Sequence, residues 1–146
     1  MRIKSSFQLL ACAAIVVLTG CTTLKTVNVQ EDASLAGASV TVDVIPVTAK
    51  NGNVETCSVR DYWRPGSPLR QSAGVTTLRF GAGQPSTQTV TKSWQSMGAT
   101  KVAVLADLPG VFQDMPGDSD PRRKTIPVGK SATVTVRLSP SGISVE

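Results

Sequence analysis

Between residues 38 and 47 the chain reads "ASVTVDVIPV", with Val40, Val42 and Val44 on one side of an extended segment and Ser39, Thr41 and Asp43 on the other. That two-residue period predicts a half-buried strand. The same period runs less cleanly through "LKTVNVQ" (24–30), and further strands are predicted over "VTTLRF" (75–80), "STQTVTKSW" (86–94) and "TKVAVLADL" (100–108). They continue with "KTIPV" (124–128), "SATVTVRL" (131–138) and "GISVE" (142–146). Between them stand turn-forming clusters, "KNGN" (50–53), "RPGSP" (64–68), "GAGQPS" (81–86) and "MPGDSDP" (115–121), while Ser139-Pro140-Ser141-Gly142 predicts a short hairpin connection. A 3.6-residue period is nearly absent. The single predicted helix is short, "VRDYW" (59–63), stopped by Pro65-Gly66. Seven or eight short strands at this spacing, with no internal repeat, predict an all-β fold: a two-sheet β-sandwich with at most a short helical addition.

The first twenty residues break the pattern. Arg2 and Lys4 precede the apolar run "FQLLACAAIVVL", about a dozen residues and too short for a comfortable permanent span, so residues 1–20 read as a signal peptide. Leu18-Thr19-Gly20-Cys21 resembles the bacterial lipobox. The resemblance implies that Cys21 is joined by a thioether to diacylglycerol, becomes the new N-terminus and is then N-acylated. A thiol is required there, because a serine hydroxyl is a far poorer nucleophile at neutral pH. Two or three acyl chains make a lasting anchor where one holds only marginally. Thr22, rather than the aspartate of inner-membrane retention, follows the cysteine and favours the outer membrane. The alternative is an ordinary cleaved signal with an incidental cysteine. The organisation expected is a signal over 1–20, a lipidated tether over 21–23 and one domain over 24–146.

Removing 20 of 146 residues leaves 126, enough for one domain to bury roughly two thirds of its unfolded surface. Loss of Arg2 and Lys4 takes the 15 basic side chains to 13 against 10 acidic, a net charge of +3 that does not call for nucleic acid. Cys12 leaves with the signal and Cys21 carries lipid, so Cys57 has no partner for an intramolecular disulfide and is expected as a small buried residue inside a strand.

The chain contains no histidine, which removes the usual base for a serine or cysteine nucleophile and the commonest zinc ligand. Gly81-Ala82-Gly83 lacks the third glycine and the helix of a nucleotide loop and reads as a turn. Asp114, Asp118 and Asp120 offer oxygen ligands around Gly117, yet no bidentate glutamate follows and Arg122-Arg123-Lys124 comes next, so no metal is expected. Asp61 and Asp107 are the carboxylates that a glycoside hydrolase reading would pair, and nothing in the sequence sets their separation. No cofactor is expected.

The order of segments resembles a family. A lipobox is followed by a strand and an acidic loop, then "VTVDVIPV", "DYWRPGSPLR", "VTTLRF", "VAVLADLPG" and "RRKTIPVGKSATVTVRLSPSGISV". This order is similar to that of the outer-membrane lipoprotein of the type VI secretion membrane complex, its J subunit, over essentially the whole mature chain. Ala106-Asp107-Leu108 departs from the aromatic and Arg-Asp pair found there. The resemblance implies a transthyretin-like sandwich without enzymatic activity, hung from the outer membrane into the periplasm and binding the periplasmic domain of the large inner-membrane M subunit. It also implies that the loop between the first two strands docks the partner. Here that loop is Glu31, Asp32, Ala33, Ser34, Leu35, Ala36 and Gly37, with Leu35 as a candidate apolar anchor. A second candidate contact is the loop carrying Asp114, Asp118, Asp120, Arg122 and Arg123. The alternatives are a sandwich lipoprotein of another envelope assembly, a polysaccharide-binding module and, last, a carboxylate-based hydrolase.

Overall fold

A computed structural model describes residues 22–146; Cys21 and the signal segment lie outside the described residues. The strands are β1 (Thr26–Glu31), β2 (Val40–Val47), β3 (Thr76–Phe80), β4 (Thr87–Thr91), β5 (Lys101–Asp107), β6 (Arg123–Pro127), β7 (Thr133–Ser139) and β8 (Gly142–Val145), with one helix, α1 (Val59–Tyr62). They form two four-stranded sheets, ordered β4-β1-β7-β8 and β3-β2-β5-β6. The fold is thus the all-β, two-sheet sandwich expected from the alternation, and every predicted strand has its counterpart. β1 and β7 run parallel, pairing Val27 with Val134 and Val29 with Val136, and the other neighbours are antiparallel.

The alternation decides which atoms meet between the sheets. Val27 and Val29 of β1 with Val134, Val136 and Leu138 of β7 face Val40, Val42 and Val44 of β2 and Val102, Val104 and Ala106 of β5 in one buried cluster. Each buried valine or leucine contributes about 1.5–3 kcal/mol relative to exposure. The strand predicted over 86–94 stops at Thr91, and Trp94 instead opens a 3₁₀ turn (Gln95–Met97) and fills the core with a fully buried indole.

β2 departs from the half-buried expectation, and β5 beside it is covered in the same way. Both are central strands and both of their faces are covered, so Asp43, assigned by alternation to the solvent side, is completely buried. The cover is the segment 48–75, which crosses the outer face of the β3-β2-β5-β6 sheet. Val54, Val59 and Tyr62 pack there on Ile45, Val47, Ala103 and Leu105, with Trp63 and Leu69 alongside. The run "VAVLA" in β5 is the signature of a strand buried on both sides.

α1 begins where Ser58 caps it, its hydroxyl accepting from the Asp61 N–H at 3.1 Å, and it ends before Gly66, whose φ of +79° breaks the turn. Asp43 ties this cover to the sheet. Its carboxylate accepts from the Tyr62 hydroxyl (2.7 Å), Arg70 Nε (2.8 Å) and the Thr77 hydroxyl (2.6 Å). Burial first, and the adjoining carboxylate second, push the Tyr62 phenol well above its ordinary value. Cys57 does not lie in a strand: it follows the 3₁₀ turn Gly52–Glu55, half-buried, because the chain there is folding over the sheet rather than pairing with it. Desolvation raises its thiol pKa, against a reactive thiolate.

Candidate functional site

The strand directions sort the connections into two ends of the sandwich. β1, β3, β5 and β7 all run toward one pole, where the β1–β2, β3–β4, β5–β6 and β7–β8 connections therefore gather. The opposite pole receives the N-terminal end of the described chain and the 92–100 and 128–132 connections, and the 48–75 cover starts and ends there. It is stitched across the sheets by the N–H of Leu24 to Val128 O (2.7 Å), Val128 to Thr100 O (3.2 Å) and Thr100 to Val47 O (3.1 Å). Both sequence-predicted contact loops lie at the first of these poles, remote from Thr22 at the N-terminal end of the described residues.

In the first loop Asp32 caps a 3₁₀ turn (Ala33–Leu35), its Oδ1 accepting from the Ser34 N–H (2.9 Å) and the Ser34 hydroxyl (2.6 Å). These bonds hold the Asp32 carboxyl below its usual value. Ala33, Ser34, Ala36 and Gly37 are exposed. Leu35 is not an outward anchor: it is 2% exposed and joins the main core. The turn points it inward, because an apolar side chain at the mouth of the sandwich gains more from closing the core than from facing water. Leu35→Ala is accordingly expected to cost about 2–4 kcal/mol, read as a shift in the urea midpoint. Glu31, at the end of β1, has its Oε2 buried without a hydrogen-bond partner, and desolvation raises its pKa.

The second loop differs more from expectation. Arg122 and Arg123 are buried rather than offered to solvent. Arg122 holds Asp120 with two bonds, Nε to Oδ1 at 2.9 Å and Nη2 to Oδ2 at 2.8 Å, reaches Asp114 Oδ1 at 2.6 Å and lies 5.4 Å over the Phe112 ring. Arg123 opens β6 opposite Leu105, on the covered face of its sheet, and so must turn inward. Its guanidinium donates to the carbonyls of Gly117 (2.9 Å), Cys57 (2.7 Å), Met115 (3.2 Å) and Val54 (3.4 Å). Asp118 remains exposed and accepts from Thr125 N–H and hydroxyl.

Asp114 also fastens the loop to α1, accepting from the Ser58 hydroxyl at 2.6 Å and the Arg60 N–H at 3.2 Å. The Ser58 hydrogen bond, with Arg122 and the Arg60 N–H, outweighs desolvation and holds the Asp114 carboxyl at about 2. For Asp120 burial pushes upward, but the Arg122 bonds prevail and the net shift is downward. A carboxyl lowered on folding stabilises the protein above its unfolded pKa of about 4 and ceases to do so as pH falls through the folded value. The melting temperature is therefore expected to drop between pH 4 and pH 2, and Asp114→Asn to lower it at neutral pH while flattening that acid limb.

These ion pairs hold rigid a loop whose crest is apolar: Val111 is fully exposed and Met115 41% exposed. Val111 and Met115 were not among the residues the sequence reading singled out; the available signal was three apolar side chains in "PGVFQDMPG" inside a turn-rich stretch that has no strand period to explain them. The hydrolase pair receives no such support: Asp61 is exposed and pairs with Arg64 (3.2 Å), while Asp107 is exposed at the end of β5. The carboxylates near Gly117 are engaged by arginines and by Thr125 rather than grouped around a common point.

Neither a protein-family model nor a curated protein matches the sequence. Solved structures do match in shape. Lip of Serratia marcescens, a membrane-bound component of the type VI secretion system, aligns over 86% of this chain and 96% of its own at 9% identity and a TM-score of 0.58. The type VI lipoprotein TssJ1 of Pseudomonas aeruginosa aligns over 85% and 95% at 8% identity and a TM-score of 0.56. A chain in the structure of the type VI protein TssM C-terminal domain from EAEC aligns over 85% and 100% at 10% identity and a TM-score of 0.57. Over nearly its whole described length, this chain has the fold of the TssJ and Lip lipoproteins of type VI secretion.

Proposed function

We propose that this chain is a non-enzymatic docking lipoprotein of a type VI secretion membrane complex. Cys21 anchors it by lipid to the outer membrane, and the domain hangs in the periplasm to bind the periplasmic domain of the large inner-membrane subunit. The observation that carries this reading is the division of the sandwich into two ends. The chain departs toward Cys21 from one pole, while the two candidate contact loops, with exposed Ala33, Ser34 and Val111 and the unpartnered Glu31 oxygen, gather at the other. A domain fixed to one membrane and grasped by a protein reaching from the other needs that separation. The shared fold with type VI lipoproteins supports the choice of machine.

The test is calorimetric titration of the mature protein with the periplasmic domain of the inner-membrane subunit encoded beside it. Val111→Asp and Ser34→Arg are expected to weaken binding at least tenfold with unchanged melting temperature, because both side chains are exposed. Metabolic labelling with a fatty-acid analogue is expected to mark the wild type and not Cys21→Ser. Wild-type protein that fails to bind that domain, or fails to take up label, would remove the docking or the anchoring half of the proposal respectively.

A further inference from the structure

The pole from which the chain departs carries a charge pattern that docking does not use. Lys25 precedes β1, Lys92 follows β4, Lys50 follows β2, Lys101 opens β5 and Lys130 lies in the β6–β7 connection, so the topology brings five lysines to one end. Three acids stand toward this end: Lys101 Nζ takes Glu55 at 2.8 Å and also lies in the field of Asp118, and Glu146, after β8, is taken by Arg137 at 3.0 Å. Lys92 donates to the Gly74 carbonyl at 2.9 Å. Lys25, Lys50 and Lys130 are exposed and make no ion pair among the described residues. The opposite pole carries Glu31, Asp32, Asp107 and Arg79, together with the β5–β6 connection, where Asp114 and Asp120 are paired with Arg122. Beside Lys50, Met97 stands 40% exposed at the edge of a depression of about 420 Å³ lined by Pro46, Ala49 and Ala73.

The chain's path fixes what this end faces. Leu24 is buried and Lys25 N–H is bonded to Ala132 O at 2.8 Å, so only Thr22 and Thr23 separate the folded domain from Cys21. Three Cα steps span at most about 11 Å, close to the screening length of about 8 Å at physiological salt. A domain on so short a tether holds this pole within the field of the bilayer that holds the lipid.

We infer that this pole is a binding surface for anionic phospholipid, on which Lys25, Lys50 and Lys130 meet headgroup phosphates and Met97 enters the interfacial layer. The inference rests on lipid anchoring at Cys21. Its effect is to orient the domain, so that the contact loops project away from the membrane. Each lysine near an anionic surface is worth about fivefold in partitioning, and the three together give a preference on the order of a hundredfold for anionic over neutral bilayers, lost at high salt.

The experiment uses mature lipoprotein reconstituted into vesicles of phosphatidylcholine alone or of phosphatidylcholine with phosphatidylglycerol. Amine acetylation and peroxide oxidation are followed by peptide mass. In the mixed vesicles Lys25, Lys50, Lys130 and Met97 are expected to react several-fold more slowly than in neutral ones, relative to Lys124 on β6, with protection lost at high salt. The triple variant K25Q/K50Q/K130Q should fold normally by melting temperature and leave Met97 open to oxidation. Equal rates in the two vesicle types would overturn the inference, as would protection that survives high salt, which would mean steric apposition alone. The mass of the N-terminal peptide reports acylation separately. Should it carry no acyl chain, the anchoring reading fails, and sedimentation of the same protein with the mixed vesicles decides the surface: salt-sensitive binding supports it, and none refutes it.

Discussion

Replacing Arg123 by methionine is expected to destabilise the domain by about 3 kcal/mol, a large fraction of what holds a domain of this size together. The guanidinium is fully buried and donates to the carbonyls of Gly117, Cys57, Met115 and Val54. Methionine fills most of the volume and removes the cost of burying a charge, yet it strands acceptors from two separate segments. Each unsatisfied buried carbonyl costs about 1–3 kcal/mol. The 109–122 loop and the cover after β2 meet through this side chain, so both should loosen together. Arg123→Lys is expected to rescue little, because a single ammonium lacks the planar fork that reaches carbonyls on several sides. Urea unfolding measures the loss, and hydrogen exchange locates it. A change under about 1 kcal/mol, or full rescue by lysine, would mean that charge or bulk rather than the fan of donors holds the loop.

The same residue marks where the sequence stopped being legible. Two-residue alternation is written by strands with one face in water, and β1 and β7 are such strands: Asn28, Gln30, Thr135 and Arg137 alternate there with the core. It misled for β2, because the 48–75 segment covers that strand's second face and local alternation carries no information about a remote cover. Asp43 and Arg123 consequently read as surface charges when both are fully buried. Leu35 failed differently: an apolar residue in an acidic loop looks the same in sequence whether it closes a core or awaits a partner. The loops themselves were legible, from their glycines, prolines and aspartates. That they gather at one pole was not, since this depends on strand direction and pairing.

Asp43→Ala is expected to cost about 4 kcal/mol, because it strands three donors that the fold has aimed at one carboxylate. The Tyr62 and Thr77 hydroxyls have no other acceptor among the described residues, while Arg70 is 32% exposed and can turn to water. Asp43→Asn should cost about half as much: the shape and one acceptor remain, but the amide presents its own donor toward one of the three. The arginine arm is predicted to be the weakest. Arg70→Gln should lose about 1 kcal/mol, since a partly exposed ion pair is screened and its cation also rests against the Trp63 ring at 4.6 Å, a contact glutamine keeps only in part. Tyr62→Phe removes the buried hydroxyl and leaves the carboxylate one donor short, for about 1–2 kcal/mol. A double-mutant cycle of Asp43→Ala with Tyr62→Phe is the decisive measurement. If the carboxylate and phenol act as one node between sheet and cover, the double variant should be more stable than the two single losses summed would predict, by about 1 kcal/mol or more, because the second change removes a donor already stranded by the first. Strict additivity would show that Tyr62 finds another acceptor or water when Asp43 is absent, and that the cover is held to β2 by the apolar contacts of Val54, Val59 and Leu69 alone.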